Sequence, residues 1–108
     1  MSEQAIIFIY IPCRDADEAA RIARAMVEQK LAACGNIFPS IQSIYKWEGE
    51  VRSEAEAVLI LKTTKDLFKA VDGAVKALHS YDTPCIAAIN VADVNDAYRQ
   101  WLLGLVIR

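Results

Sequence analysis

Ile37-Phe-Pro-Ser-Ile-Gln-Ser-Ile-Tyr-Lys-Trp47, Glu48-Gly49-Glu50 and Val51-Arg-Ser-Glu-Ala-Glu-Ala-Val-Leu-Ile-Leu61 are the stretch on which the fold turns. Two extended arms rich in β-branched and aromatic residues flank a short loop that holds Gly where positive φ is needed, so the stretch reads as one antiparallel hairpin. The second arm opens polar and closes on Val58-Leu-Ile-Leu61, which predicts that only its distal end is fully buried. Upstream, Ala5-Ile-Ile-Phe-Ile-Tyr-Ile11 has no polar interruption and reads as a strand covered on both faces, ended by Pro12. Asp15 with Glu18 three residues on makes a capping box. Behind it Ala19, Ile22, Ala23, Met26, Val27 and Leu31 form one helical stripe, closed by Gly35-Asn36 as a C-cap.

Downstream of the hairpin the pattern repeats. Thr63 with Asp66 predicts a second cap, followed by a stripe of Leu67, Phe68, Val71, Ala74, Val75 and Leu78. A loop, His79-Ser-Tyr-Asp-Thr-Pro84, leads to a fourth strand from Cys85 to Val91. A third helix starts near Asp93 or Asn95 and carries Ala97, Tyr98, Trp101, Leu102 and Leu105. The order β-α-β-β-α-β with an added C-terminal helix is the split βαβ, ferredoxin-like arrangement of the α+β class. Two helices cover one face of such a sheet. These strands are apolar at nearly every position, so the other face is expected to meet a partner, and a second copy of the chain is the commonest kind.

Length and charge narrow the function. The 108 residues fit one domain and can bury roughly 65% of the unfolded surface, so disulfides are not required for folding. Twelve basic against fourteen acidic residues give a net charge of −2, with a pI near 5.3. That argues against a nucleic-acid binder that works by neutralising phosphates. The longest apolar runs, such as Ala5 to Cys13, fall far short of the roughly 20 residues a spanning helix needs. No leader pattern opens the chain. Cys13, Cys34 and Cys85 include no Cys-x-x-Cys pair and read as three free thiols of a cytoplasmic protein. No nucleophile elbow, zinc-protease helix, Walker loop or dinucleotide fingerprint is present, so the expectation is a protein that is not an enzyme.

Lys30-Leu-Ala-Ala-Cys34, Asn36-Ile37, Pro39, Ser43-Ile-Tyr45-Lys-Trp47 and Gly49 resemble the pattern of the CutA family of divalent-cation tolerance proteins. Lys62-Thr63, His79-x-Tyr81 with Pro84, and Tyr98-x-x-Trp101-Leu102 follow in matching order. The resemblance runs from about Ile6 to the C-terminus and implies a single CutA-like domain over residues 1–108. It implies a tight homotrimer, a relation in architecture to the PII signalling proteins, and a role in tolerance of divalent metals, copper above all. Two departures stand out. Ser80 and Cys85 replace a Pro and a Glu common in the family's loop. Of the Cys and paired His credited with copper binding, Ile11 stands at the Cys position and Leu78 at the first His. Cys13 lies two residues beyond Ile11, but Pro12 intervenes and is expected to break the strand between them.

The candidate metal ligands are therefore His79, Cys34 and Cys13. Imidazole and thiolate suit copper, zinc or nickel. Each also has a plain structural role: His79 follows a helix C-terminus, and Cys34 closes a helix as a small buried apolar residue. Cys13 lies just before a helix N-terminus, where the dipole favours thiolate, and is the expected reactive thiol. Cys85 with His79 makes a further soft pair. Tyr45, Trp47, Lys62 and Tyr81 are the expected ligand cleft at a subunit boundary, the alternative being interface packing. Trp101 is expected in the core or an interface. The functional expectation is a metal-responsive or small-ligand trimer; the competing one is an interaction scaffold with no native metal site.

Overall fold

The computed structural model describes residues 4–107. β1 (Ile6–Cys13) buries Ile7, Ile9, Ile11 and Cys13 on one side, the period-2 consequence of a pleated strand. It runs straight through Pro12, which pairs with Val58, to Cys13, which pairs with Ala57. Pro12 was expected to end the strand. It does not, so Cys13 shares the side of Ile11.

α1 (Ala16–Glu28) starts as read: Asp15 caps it, accepting the Glu18 N–H at 2.9 Å. It stops six residues short of the expected Gly35 cap. Lys30 takes the left-handed conformation (φ 61°). The Lys30 N–H donates to Val27 O and the Leu31 N–H to Met26 O, which is a Schellman close with lysine in the usual glycine position. Leu31 belongs to that closing turn, not to the helical stripe. Gly35 and Cys34 instead open β2 (Cys34–Trp47), so Cys34 does not end a helix. A Cβ on Gly35 would lie 3.0 Å from Ala23 Cβ, so glycine here lets α1 sit close to the sheet.

β3 (Glu50–Thr64) pairs with β2 across a two-residue turn in which Glu48 (φ 50°) and Gly49 (φ 83°) both adopt left-handed backbone. β3 extends to Thr64, so Thr63 is not a helix cap. Its Oγ1 donates to Leu31 O at 2.7 Å and ties the strand to the close of α1. A 3₁₀ turn (Lys65–Leu67) leads into α2 (Phe68–Leu78). β4 is shorter than expected, Ala87–Asn90, and solvent-exposed along its length. α3 (Asp96–Leu105) is capped by Asn95, which accepts the Tyr98 N–H at 2.9 Å.

The antiparallel sheet has the order β2-β3-β1-β4. Ile9 and Ile11 pair with Leu61 and Leu59 and face α1. The opposite side carries Phe8, Tyr10, Ile60 and Lys62, and α3 covers one end of it. There the Lys62 ammonium lies 5.2 Å from the Phe8 ring and 5.7 Å from the Tyr98 ring. Among the described residues no strand flanks the β2–β3 ribbon beyond Cys13, and the ribbon projects along a molecule 45 Å long. Ile44 (66% exposed), Trp47 (56%) and Val51 (72%) are carried out with it. Among the described residues, no helix is long and apolar enough to cross a membrane.

Candidate metal centre and adjoining cleft

Where β1 ends, α1 begins and α2 gives way to its loop, three potential ligands converge. The sulfur of Cys13, a carboxylate oxygen of Glu18 and a ring nitrogen of His79 lie within 4.8 Å of one another. Pairing of Pro12 in β1 delivers Cys13, the first turn of α1 delivers Glu18, and the C-cap of α2 delivers His79.

Glu18 is fully buried yet well supplied with donors. The Arg14 N–H donates to Oε1 at 2.7 Å and the Ser80 N–H to Oε2 at 2.8 Å. The guanidiniums of Arg21 and Arg14 stand 3.9 and 4.0 Å away. Burial pushes this carboxyl up, but the amide donors from Arg14 and Ser80 outweigh it and hold the group below its ordinary range. For His79, the Tyr81 N–H donates to Nδ1 at 3.1 Å, so Nδ1 is unprotonated. Nε2 then carries the ring proton and donates it to Pro12 O at 2.9 Å. The Cys13 thiol donates to Ile11 O at 3.5 Å. Burial pushes this thiol up to about 12, reinforced by the charges of Glu18, Glu56 and Asp15. Cys13 is thus not the reactive thiol that its place before a helix suggests. Lost solvation and three carboxylates outweigh the dipole.

The donor set suits a soft or borderline ion, since thiolate, imidazole and carboxylate are what copper and zinc accept. The spacing is looser than a formed shell. Ligands of a tetrahedral ion with bonds of about 2.0–2.3 Å lie roughly 3.5 Å apart.

The other sequence candidates separate from this group. Cys34 sits on the opposite side of the sheet, 3.7 Å from the Tyr98 phenol and apart from the Cys13–Glu18–His79 group. Cys85 is exposed in the loop and lies outside the Cys13–Glu18–His79 group. Glu18 was legible only as a cap. Its second role appears because the loop after α2 folds back onto α1.

Next to this group lies a cleft of about 780 Å³, lined by Pro12, Tyr45, Trp47, Arg52, Glu54 and the 81–85 loop. Tyr45, Trp47 and Tyr81 meet here as expected. Lys62 does not: it lies under α3, against Phe8 and Tyr98. Parity explains the lining. Tyr45 pairs with Arg52 and Trp47 with Glu50, so these side chains and Glu54 share one side of the ribbon. Hydrogen bonds tether both phenols to carboxylates, Tyr45 Oη to Glu54 and Tyr81 Oη to Glu56. Trp101, expected in a core or interface, is half exposed on α3.

The CutA1 divalent ion tolerance protein family matches residues 7–104. The chain belongs to the CutA1 family. It is 45% identical over 98 residues to the divalent-cation tolerance protein CutA of Thermus thermophilus, covering 90% of this chain and 92% of that one. Identity to the CutA of Archaeoglobus fulgidus is also 45%, over 95 residues, covering 88% and 92%. It spans only 52% of the chloroplastic CutA of Arabidopsis thaliana, with 39% identity over 97 residues. Among solved structures, CutA1 of Ehrlichia chaffeensis superposes with a TM-score of 0.91 at 38% identity, covering 96% of this chain and 97% of that one. The α+β ferredoxin-like fold expected from the element order is therefore the fold of the CutA family, a family described by divalent ion tolerance.

Proposed function

We propose that the chain is a non-enzymatic, cytoplasmic metal-response protein. It assembles as a homotrimer related in architecture to PII proteins and takes up copper on Cys13, His79 and Glu18. One observation carries the metal assignment: a thiol, an imidazole and a carboxylate, delivered by three separate elements, converge within 4.8 Å in a chain of the divalent ion tolerance family. Assembly draws support from the projecting ribbon and from Phe38, Ile44, Val51 and Ile89, which are large, apolar and about half exposed or more. The cytoplasmic assignment rests on three unpaired thiols; the similar structure from Archaeoglobus fulgidus is described as periplasmic.

A scaffold without resident metal draws on a specific observation too. Among the described residues no buried side-chain nitrogen or oxygen lacks a hydrogen-bond partner, the Glu18 and His79 atoms included. An anaerobic calorimetric titration of reduced, chelator-stripped protein with copper(I), beside zinc and nickel, separates the two. The metal reading expects whole-number sites per trimer and at least tenfold weaker binding, about 1.4 kcal/mol, in both His79→Ala and Cys13→Ser. Unchanged affinity in both variants would remove the site. Sedimentation at the mass of three 12.0 kDa chains is expected at micromolar concentration, and a monomer would overturn the assembly.

A further inference from the structure

The cleft beside the ribbon has chemistry of its own that the metal reading does not use. Its walls present three aromatic rings, Tyr45, Trp47 and Tyr81, of which Trp47 is 56% exposed. Two carboxylates, Glu54 and Asp82, line it against one guanidinium, Arg52. That guanidinium already leans on Glu50 at 3.9 Å. Both tyrosines give their phenolic protons to carboxylates, Tyr45 to Glu54 and Tyr81 to Glu56. The pairing fixes the rings and places negative charge behind them, which makes their faces more attractive to a cation. A volume of about 780 Å³ lies in the range of small-molecule sites.

We infer that this cleft binds an organic cation, an amine or quaternary ammonium group held against Trp47, Tyr45 and Tyr81 with Glu54 and Asp82 as counter-charges. Weak hydration is what aromatic faces select. A hard divalent ion keeps its water shell and gains little from a ring, and an anion meets net negative charge. The site shares Pro12 and Tyr81 with the wall of the Cys13–Glu18–His79 group but uses none of its three candidate ligands.

Two built-in reporters test it. Trp47 and Trp101 are the only tryptophans, so Trp101→Phe leaves Trp47 as the sole indole emitter. Cys85 lines the cleft and is exposed, whereas Cys13 is buried. The Trp101→Phe protein is titrated with choline and with 3,3-dimethylbutan-1-ol, which has the same shape without the charge, and with magnesium. The expected result is saturable quenching by choline, at least tenfold weaker for the alcohol and none for magnesium, with bound choline slowing alkylation of Cys85. Glu54→Gln keeps a carbonyl acceptor for Tyr45 and removes only charge, so it is expected to weaken choline at least tenfold while far-ultraviolet circular dichroism stays unchanged. Equal response to the alcohol would overturn the charge selection. No saturable response to choline, as when a neighbouring subunit fills the cleft, would overturn the site.

Discussion

Two regions meet at Pro12 and Tyr81 and are built on opposite terms. On one side, Glu18, His79 and Cys13 are closed in: the carboxylate accepts from two backbone amides, the imidazole uses both nitrogens, and the thiol donates to its own strand. On the other, Tyr45, Trp47 and Glu54 stand on the part of the ribbon beyond its pairing with β1 and face an open cleft. Pro12 gives its carbonyl to His79 and lines the cleft; Tyr81 gives its amide to His79 and lines the cleft too. The closed network is the fixed wall of the open site. Polar groups that stabilise the fold have their partners already, and groups free to meet a ligand contribute little to the fold.

Thiol chemistry shows the contrast most strongly. Cys85 is exposed, Cys34 half-buried, and Cys13 fully buried with its proton held to about 12. Since the thiolate is the reactive form, an aromatic disulfide reagent at pH 8 is expected to titrate Cys85 within seconds and Cys34 more slowly. Cys13 is expected to wait for unfolding, on the order of 10³-fold slower or more, because about four pH units separate its thiol from the solution. Mass spectrometry of labelled peptides gives the order. Labelling of Cys13 at the rate of Cys85 would show that the end of β1 opens readily.

A smaller but decisive contrast lies in stability. Glu18→Ala removes a fully buried side chain and the acceptor of the Arg14 and Ser80 amides, so it is expected to cost about 2–4 kcal/mol. Glu54→Ala, on the solvent-facing ribbon, is expected to change stability by less than about 0.5 kcal/mol. Urea midpoints at one fixed protein concentration compare them, since assembly makes stability concentration-dependent. Equal losses would mean that the cleft is as structural as the network.

Much of this contrast was legible before the structure, and most of what was missed has a common cause. Periodicity placed β1, α1, α2 and the β2–β3 ribbon, and a cap placed the start of α1, because those signals are local. Asp15 does cap α1, and Tyr45, Trp47 and Tyr81 do share a cleft. The misses are mostly long-range, with one local exception in the close of α1. Lys30 at positive φ closes α1 early and turns Cys34 from a helix end into a strand start, and nothing in a lysine announces that conformation. Pro12 stays within β1 although it lacks an N–H to pair. Glu18 reads as a cap because its partner Ser80 lies 62 residues away. Lys62 looks like a cleft residue until α3 covers it. Register between distant segments decides such matters, and spacing along the chain does not encode it.

The mildest way to break the comparison is acid. The Glu18 carboxyl is pushed up by burial but held below its ordinary range overall by the amides of Arg14 and Ser80. A carboxyl with a depressed folded value binds fewer protons in the folded state than in the unfolded one. Its stabilisation is therefore complete above the ordinary glutamate value of 4.5 and is lost as pH falls through the depressed one. Glu18→Gln cannot titrate and can offer only one acceptor to two amides, so it is expected to be less stable than the parent by about 1–2 kcal/mol at pH 7. That gap is expected to narrow steadily below pH 4.5. Urea midpoints from pH 7 down to pH 3 give both curves. A gap between Glu18→Gln and the parent that stays constant with pH would show that hydrogen-bond count alone, and not the carboxylate charge, joins the start of α1 to the loop that walls the cleft.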